Sequence, residues 1–250
     1  MDAYAGFAQV YDRLMEDVDY DKWVDYIFEI FKKYNVSPSL VAELGCGTGN
    51  ITNRLAKAAI EMIGIDISEE MLGIARKKAV DADLDVLYLC QDMREFELYG
   101  TVDVILSLCD SINYITEKDD LLEVFKLVNN YLEPKGLFVF DLNTEYKFKN
   151  ILADNVFAQS DDDISYIWEN NYDEDEKINE YYVNFFIKDK NEKYEKVEEC
   201  HYERAYCMEE IKGLVEESGM DLIDVFDAFT FEKPKSDSQR IYVIAREKGK

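Results

Sequence analysis

The apolar positions of this chain change their period twice, and those changes mark out its architecture. From Asp21 to Tyr34 the spacing is helical, with Trp23, Tyr26, Ile27, Ile30, Phe31 and Tyr34 on one face. Asn35-Val-Ser-Pro38 stops that helix. Ser39–Leu44 then reads as a buried strand entering a glycine turn, followed by a helix from Asn50 to Ala59 and a second strand over Glu61–Asp66. Ser68 is placed to cap a helix through Ala79, with Glu69 and Glu70 suited to its first turn. Asp85–Cys90 and Val102–Leu108 are expected as strands three and four. Thr116-Glu-Lys-Asp119 has the form of a capping box opening a helix with Leu121, Leu122, Phe125, Val128 and Leu132 inward. Glu133-Pro-Lys-Gly136 is expected to end that helix before a fifth strand, Leu137–Leu142. Strands alternating with helices in this way predict an α/β fold with a doubly wound, mostly parallel sheet.

From about Ile164 to Tyr202 the period falls to two, as in Tyr181, Val183, Phe185 and Ile187, with acidic turns between the runs. This predicts an antiparallel β meander inserted into the α/β domain. A helix over Met208–Ser218 and two strands, Asp221–Phe229 and Arg240–Ala245, return to the main sheet. The expected organisation is an N-terminal helical lid over 1–37, a Rossmann-like domain from 38–150 and 206–250, and an inserted β subdomain over 151–205. The insert's aromatics Tyr166, Trp168, Tyr181 and Phe185 are expected to form its own small core.

Composition narrows the partners. Lys and Arg number 28 against 54 Asp and Glu, a net charge of −26, which repels phosphate backbones and disfavours nucleic acid and anionic membranes. No apolar run approaches the roughly 20 residues of a membrane span. The five cysteines are scattered, without CxxC or Cys/His metal spacing, and read as reduced thiols of a cytoplasmic protein with no metal site.

The sharpest chemical signal is Val41-Ala-Glu-Leu-Gly-Cys-Gly-Thr-Gly-Asn50, where the first strand turns into a helix. Gly45, Gly47 and Gly49 let a ligand lie against bare amides. A dinucleotide fingerprint would place its third glycine at position 50, which is Asn50, so a pyrophosphate cradle is disfavoured. Asp66 ends the second strand, where an acidic side chain can accept both hydroxyls of a ribose, and Asp92 in Cys90-Gln-Asp-Met-Arg94 ends the third. Three consecutive strand ends facing one crevice point to a ligand site, because open α/β sheets bind ligands there.

Glu43-Leu-Gly-Cys-Gly-Thr-Gly49 resembles the first motif of class I S-adenosylmethionine-dependent methyltransferases, and Gly64-Ile-Asp66-Ile-Ser and Gln91-Asp92-Met resemble the motifs that follow it. The resemblance implies S-adenosyl-L-methionine as cofactor. It places Glu43, Gly45, Cys46, Gly47 and Gly49 at the methionine moiety, Asp66 at the ribose, and Asp92 with Met93 at the adenine, with Ile67 and Met71 also expected against the cofactor. Tyr4-Ala-Gly-Phe-Ala-Gln-Val-Tyr11 looks like the N-terminal segment of small-molecule N-methyltransferases, which implies that Tyr4 and Tyr11 lie near the sulfonium or the carboxylate. Asp110-Ser-Ile-Asn-Tyr114 resembles the acceptor-side motif of that group and lacks the two prolines usual in enzymes methylating nucleic-acid amines. His201-Tyr-Glu-Arg204-Ala-Tyr206 resembles a stretch that precedes the final helix in related bacterial proteins.

The expectation is therefore an enzyme, monomeric or homodimeric, that methylates nitrogen or oxygen of a small molecule by in-line transfer. Asp110, Asn113, Tyr114, Asn143, Arg204 and Tyr206 would meet the acceptor. His201, Asp110 and Tyr11 are the candidate catalytic groups, His201 or Asp110 (through a water) as general base. The alternatives are a non-catalytic protein that binds the same cofactor, and a tRNA or RNA methyltransferase.

Overall fold

A computed structural model of the protein describes residues 8–189 and 191–250. The short helix α1, Ala8–Leu14, leads into α2, Tyr20–Lys33, whose amide at Lys22 is capped by the Asp19 carboxylate. Then follow β1 (Leu40–Leu44), α3 (Asn50–Lys57), β2 (Glu61–Asp66), α4 (Glu69–Asp81), β3 (Val86–Cys90) and β4 (Val102–Ser107). Ser68 caps α4 by accepting from the Met71 amide, as its sequence position predicts. After α5 (Lys118–Tyr131) come β5 (Leu132–Asn143), a π-helical segment (Lys147–Leu152), β6 (Val156–Ser160), β7 (Ile164–Asp173), β8 (Ile178–Lys188) and β9 (Tyr194–Arg204). Helix α6 (Met208–Glu217), β10 (Met220–Asp227) and β11 (Arg240–Glu247) complete the described chain.

Seven strands form one sheet in the order β10-β11-β5-β4-β1-β2-β3, with β11 alone reversed against its neighbours. Apolar strand residues point to both faces, which is why those strands read as continuous hydrophobic runs. Val41, Val104, Leu106, Tyr242 and Ile244 pack against α2 and α3. Ala42, Ile105, Phe138, Phe140 and Val243 pack against α5 and α6. Strands β6 to β9 make a separate antiparallel sheet of four. Among the described residues, no helix is long and apolar enough to cross a membrane.

Three local expectations change. Helix α5 opens at Lys118 with Glu117 as its N-cap residue and no side-chain cap. The Thr116 carbonyl instead accepts from Arg204 Nη1 at 3.2 Å. Glu133-Pro-Lys-Gly136 is a kink inside β5 rather than a stop before it: Lys135 has φ 69°, and a Cβ at Gly136 would lie 2.9 Å from the Asp103 carbonyl oxygen. Strand β6 and the π-helical segment were not expected. β6 lies mostly exposed at a sheet edge without apolar alternation, and the segment buries only Phe148 and Leu152.

Candidate active site

A cavity of about 550 Å³ lies between the C-terminal ends of β1, β2, β3 and β4 and the inner face of the four-stranded sheet, with α1 alongside. This is the crevice at which open α/β sheets take ligands. The glycine turn forms its floor. A Cβ on Gly45, at φ 70°, would lie 2.5 Å from Ser111 Oγ, so only glycine lets the turn pass beneath the loop after β4. Gly47, at φ 53°, has nothing within 4 Å of where its Cβ would stand and leaves that side of the turn open. Gly49 does not line the cavity; a Cβ there would meet Tyr88 Oη.

Asp66 bridges two loops, its Oδ2 accepting from the Gly47 amide at 2.7 Å and its Oδ1 from the Ser68 amide at 2.9 Å. Burial raises its carboxyl above the ordinary range against the pull of those bonds. Glu43, 3% exposed, is pushed up to about 8 by burial and accepts from Thr52 Oγ1. Asp92 is held below the usual carboxylate range by Arg94, which grips both its oxygens. Cys46, Ile67, Met71 and Met93 also line this end, Ile67 being well exposed and Met71 buried.

Helix α1 is clasped to the floor through one carboxylate. Asp12 accepts from Thr48 Oγ1 at 2.6 Å, Asn50 Nδ2 at 2.9 Å and Lys78 Nζ at 2.8 Å. That brings Tyr11 to the cavity wall, where burial drives its phenol well above the normal range and keeps it protonated. Tyr4 lies outside the described residues.

The other end begins where β4 finishes. Cys109 and Asp110 both take left-handed conformations at φ 58°, a local strain that directs the chain across the sheet. Asp110 Oδ1 receives Arg240 Nη2 at 2.5 Å, and Arg240 Nη1 bonds Asp141. Burial alone would raise Asp110, but the charges of Arg240 and Lys147 outweigh it and hold the carboxylate low. Its expected use as a proton acceptor through a water conflicts with that pairing, because a carboxylate so held is a weak base. Lys147 Nζ donates to Asn143 Oδ1 at 2.9 Å, and Glu203 Oε2 accepts from Asn143 Nδ2 at 3.3 Å and Tyr181 Oη at 3.1 Å. His201 lines the same region, edge-on to Tyr114 with ring centroids 5.8 Å apart and its Nε2 3.9 Å from Glu199 Oε2. Burial lowers its imidazole below the usual range and favours the neutral ring.

Not every expected acceptor contact reaches the cavity. Asn113 is fully buried and holds two strands by three backbone bonds, donating to the Asn143 and Arg204 carbonyls and accepting from the Asn143 amide. Arg204 stacks on Tyr206 and approaches Glu210, and the Tyr206 hydroxyl donates to the Ile115 carbonyl. These three residues tie β9 to the loop after β4 and do not line the cavity. Asp110, Tyr114 and Asn143 do. The insert's aromatics serve two ends: Trp168 and Tyr181 pack with Phe148 and Leu152, while Tyr166, Trp168, Tyr181 and Phe185 together wall the cavity. Sequence reasoning missed Lys147, Glu203 and Arg240. Of these, only Glu203 carried a local signal, its period-two spacing from His201.

Residues 41–136 match the model of a methyltransferase domain family. The chain is 37% identical over 244 residues to the Bacillus subtilis protein YqeM, which carries a provisional methyltransferase name, spanning 97% of this chain and 96% of that one. It superposes with a TM-score of 0.89 on an S-adenosylmethionine-dependent methyltransferase from Clostridium acetobutylicum, at 35% identity and covering 98% of this chain and 99% of the other. Over 136 residues it is 29% identical to a Streptomyces venezuelae dTDP-3-amino-3,4,6-trideoxy-alpha-D-glucopyranose N,N-dimethyltransferase, covering 54% of this chain and 56% of that one.

Proposed function

Because the chain belongs to the class I S-adenosylmethionine-dependent methyltransferases, we propose that it methylates nitrogen or oxygen of a small organic molecule in the cytoplasm. The observation carrying this reading is the shape of the cavity. About 550 Å³ is a volume for small molecules, and it is divided between a glycine-floored end and an end walled by aromatic side chains of the second sheet. The net charge of −26 works against an extended polyanionic acceptor.

The residues present fit the cofactor. Gly47, its amide bonded to Asp66, leaves free space where a side chain would stand, and Asp66 presents a carboxylate at the end of β2 with lone pairs beyond its two amide bonds. Asp66 would hold the ribose hydroxyls, Glu43 and the Gly45–Gly47 backbone the methionine moiety, and Met71, Asp92 and Met93 the adenine. When bound, the cofactor supplies a methyl group on a cationic sulfur, open to in-line displacement. The protein's work is alignment and exclusion of water, with α1 and the second sheet closing the cavity from two sides.

Calorimetric titration with S-adenosylhomocysteine tests the cofactor end. Binding near micromolar, about −8 kcal/mol, is expected for the wild type, weakened by about tenfold or more in Asp66→Ala. Formation of S-adenosylhomocysteine with a panel of small amines and alcohols tests the acceptor. No heat from the wild type would overturn the assignment of the glycine turn.

A further inference from the structure

The acceptor end holds five ionisable groups drawn from five separate parts of the fold, Asp141 and Glu203 buried and Asp110, Lys147 and Arg240 partly buried. Arg240 on β11 pairs with Asp110 after β4 and with Asp141 on β5; Lys147 stands on the π-helical segment and Glu203 on β9. Asp110, Lys147 and Glu203 line the cavity. Two cations and the carboxylates of Asp110 and Asp141 balance, which leaves Glu203, 2% exposed, without a counter-charge. Burial, with the Asp110 charge beside it, drives the Glu203 carboxyl far above its ordinary range and favours its protonated form. Asp141 is raised to about 6 by burial, with Arg240 opposing the rise and Asp110 adding to it. The cluster is also short of a donor, since Asp141 Oδ1, in a fully buried side chain, has no hydrogen-bond partner among the described residues.

Such a neutral, acceptor-rich cluster opening into an aromatic-walled cavity is matched by an organic cation. We propose that Glu203, with Asp110 beside it, seats the ammonium group of an amine acceptor and takes its proton, with the acceptor's apolar body against Tyr166, Trp168, Val183 and Phe185. This rests on the methyltransferase reading above and narrows its acceptor to an amine. On binding, the ligand's positive charge replaces the proton on Glu203, which leaves to solvent. The carboxylate so formed then accepts a proton from the ammonium: one N–H bond breaks, one O–H bond forms, and the freed lone pair remains on nitrogen. The polar groups around Glu203 are Asp110, Lys147, Asn143 and Tyr181, with Arg240 behind Asp110 and His201 two residues along β9. The assignment moves proton acceptance from His201, the sequence-based candidate, to a carboxyl two residues away on the same strand face.

The test uses the full-length protein saturated with S-adenosylhomocysteine and titrated with benzylamine, and separately with benzyl alcohol, in phosphate and in Tris. Different ionisation heats of the two buffers report protons released. Benzylamine is expected to bind about tenfold or more tightly than benzyl alcohol, releasing about one proton at neutral pH. Glu203→Gln, which keeps the shape and the Asn143 and Tyr181 contacts, is expected to abolish that release and weaken benzylamine about tenfold, with S-adenosylhomocysteine affinity unchanged. Equal affinity for the alcohol, no benzylamine binding to the saturated protein, or proton release persisting in Glu203→Gln would each overturn the proposal. If the variant loses S-adenosylhomocysteine binding, the wild-type proton count and alcohol comparison decide alone. Failure of the wild type to bind S-adenosylhomocysteine would instead strike the cofactor reading first, and this proposal with it.

Discussion

Glu43 stands at the end of β1, enclosed by the fold, and burial raises its carboxyl to about 8. An unfolded chain would titrate that group near about 4.3, so the folded form binds its proton more tightly. The sign follows: the contribution is fully present below about pH 4 and is lost as pH rises through about 8. Glu43→Gln removes this dependence. Urea unfolding should show the wild type losing stability relative to the variant between about pH 5 and 8, on the order of 1 kcal/mol per unit. Parallel pH profiles for the two proteins would show that Glu43 is not held neutral by the fold.

Helix α1 depends on very few groups. It spans only Ala8–Leu14, too short to be stable alone, and Asp12 is its polar fastening to the glycine turn and α4. Burial would raise Asp12, but the bonds from Lys78, Thr48 and Asn50 prevail and hold its carboxylate below the usual range. Asp12→Ala should release the helix without unfolding the sheet. Amide exchange over 8–14 should quicken by about tenfold or more, S-adenosylhomocysteine affinity should fall severalfold, and global stability should change by about 1 kcal/mol or less. Unchanged exchange would mean that packing of Leu14 and Met15, rather than the Asp12 clasp, holds the helix. The four-stranded sheet makes a contrasting case, since its period-two pattern was readable while its edge strand β6, mostly exposed and without alternation, was not.

The whole molecule carries −26, and residues 151–205 hold 16 acidic and 6 basic side chains, so −10 of that charge lies in or beside the second sheet. Most of the ion pairs are partly exposed and contribute little each, so the net repulsion is left largely unopposed at low ionic strength. Raising salt from about 0.01 M to 0.5 M shortens the screening length from about 30 Å to a few ångströms and should raise the unfolding temperature by several degrees. A melting temperature independent of salt would show that the charges are already balanced locally.

Sequence alone determined the order of strands and helices apart from β6 and the π-helical segment, the glycine turn, and the placing of Asp66 and Asp92 at successive strand ends. Each of these is written in local periodicity or in residues adjacent along the chain. It also brought His201, Asp110 and Tyr114 to the same end of the site. The tertiary structure decided how that end is charged. Antiparallel pairing of β11 with β5 sets Arg240 opposite Asn143 and within reach of Asp110, 130 positions away in sequence. The pairing of β8 with β9 sets Glu203 beside Asn179, on the strand face that also carries Tyr181 and His201. The same long-range registers turned Asn113, Arg204 and Tyr206 toward backbone carbonyls and neighbouring side chains rather than the cavity. A side chain's type announces what it can bind; which partner it meets is fixed only when distant strands settle into register, and no local pattern encodes that distance.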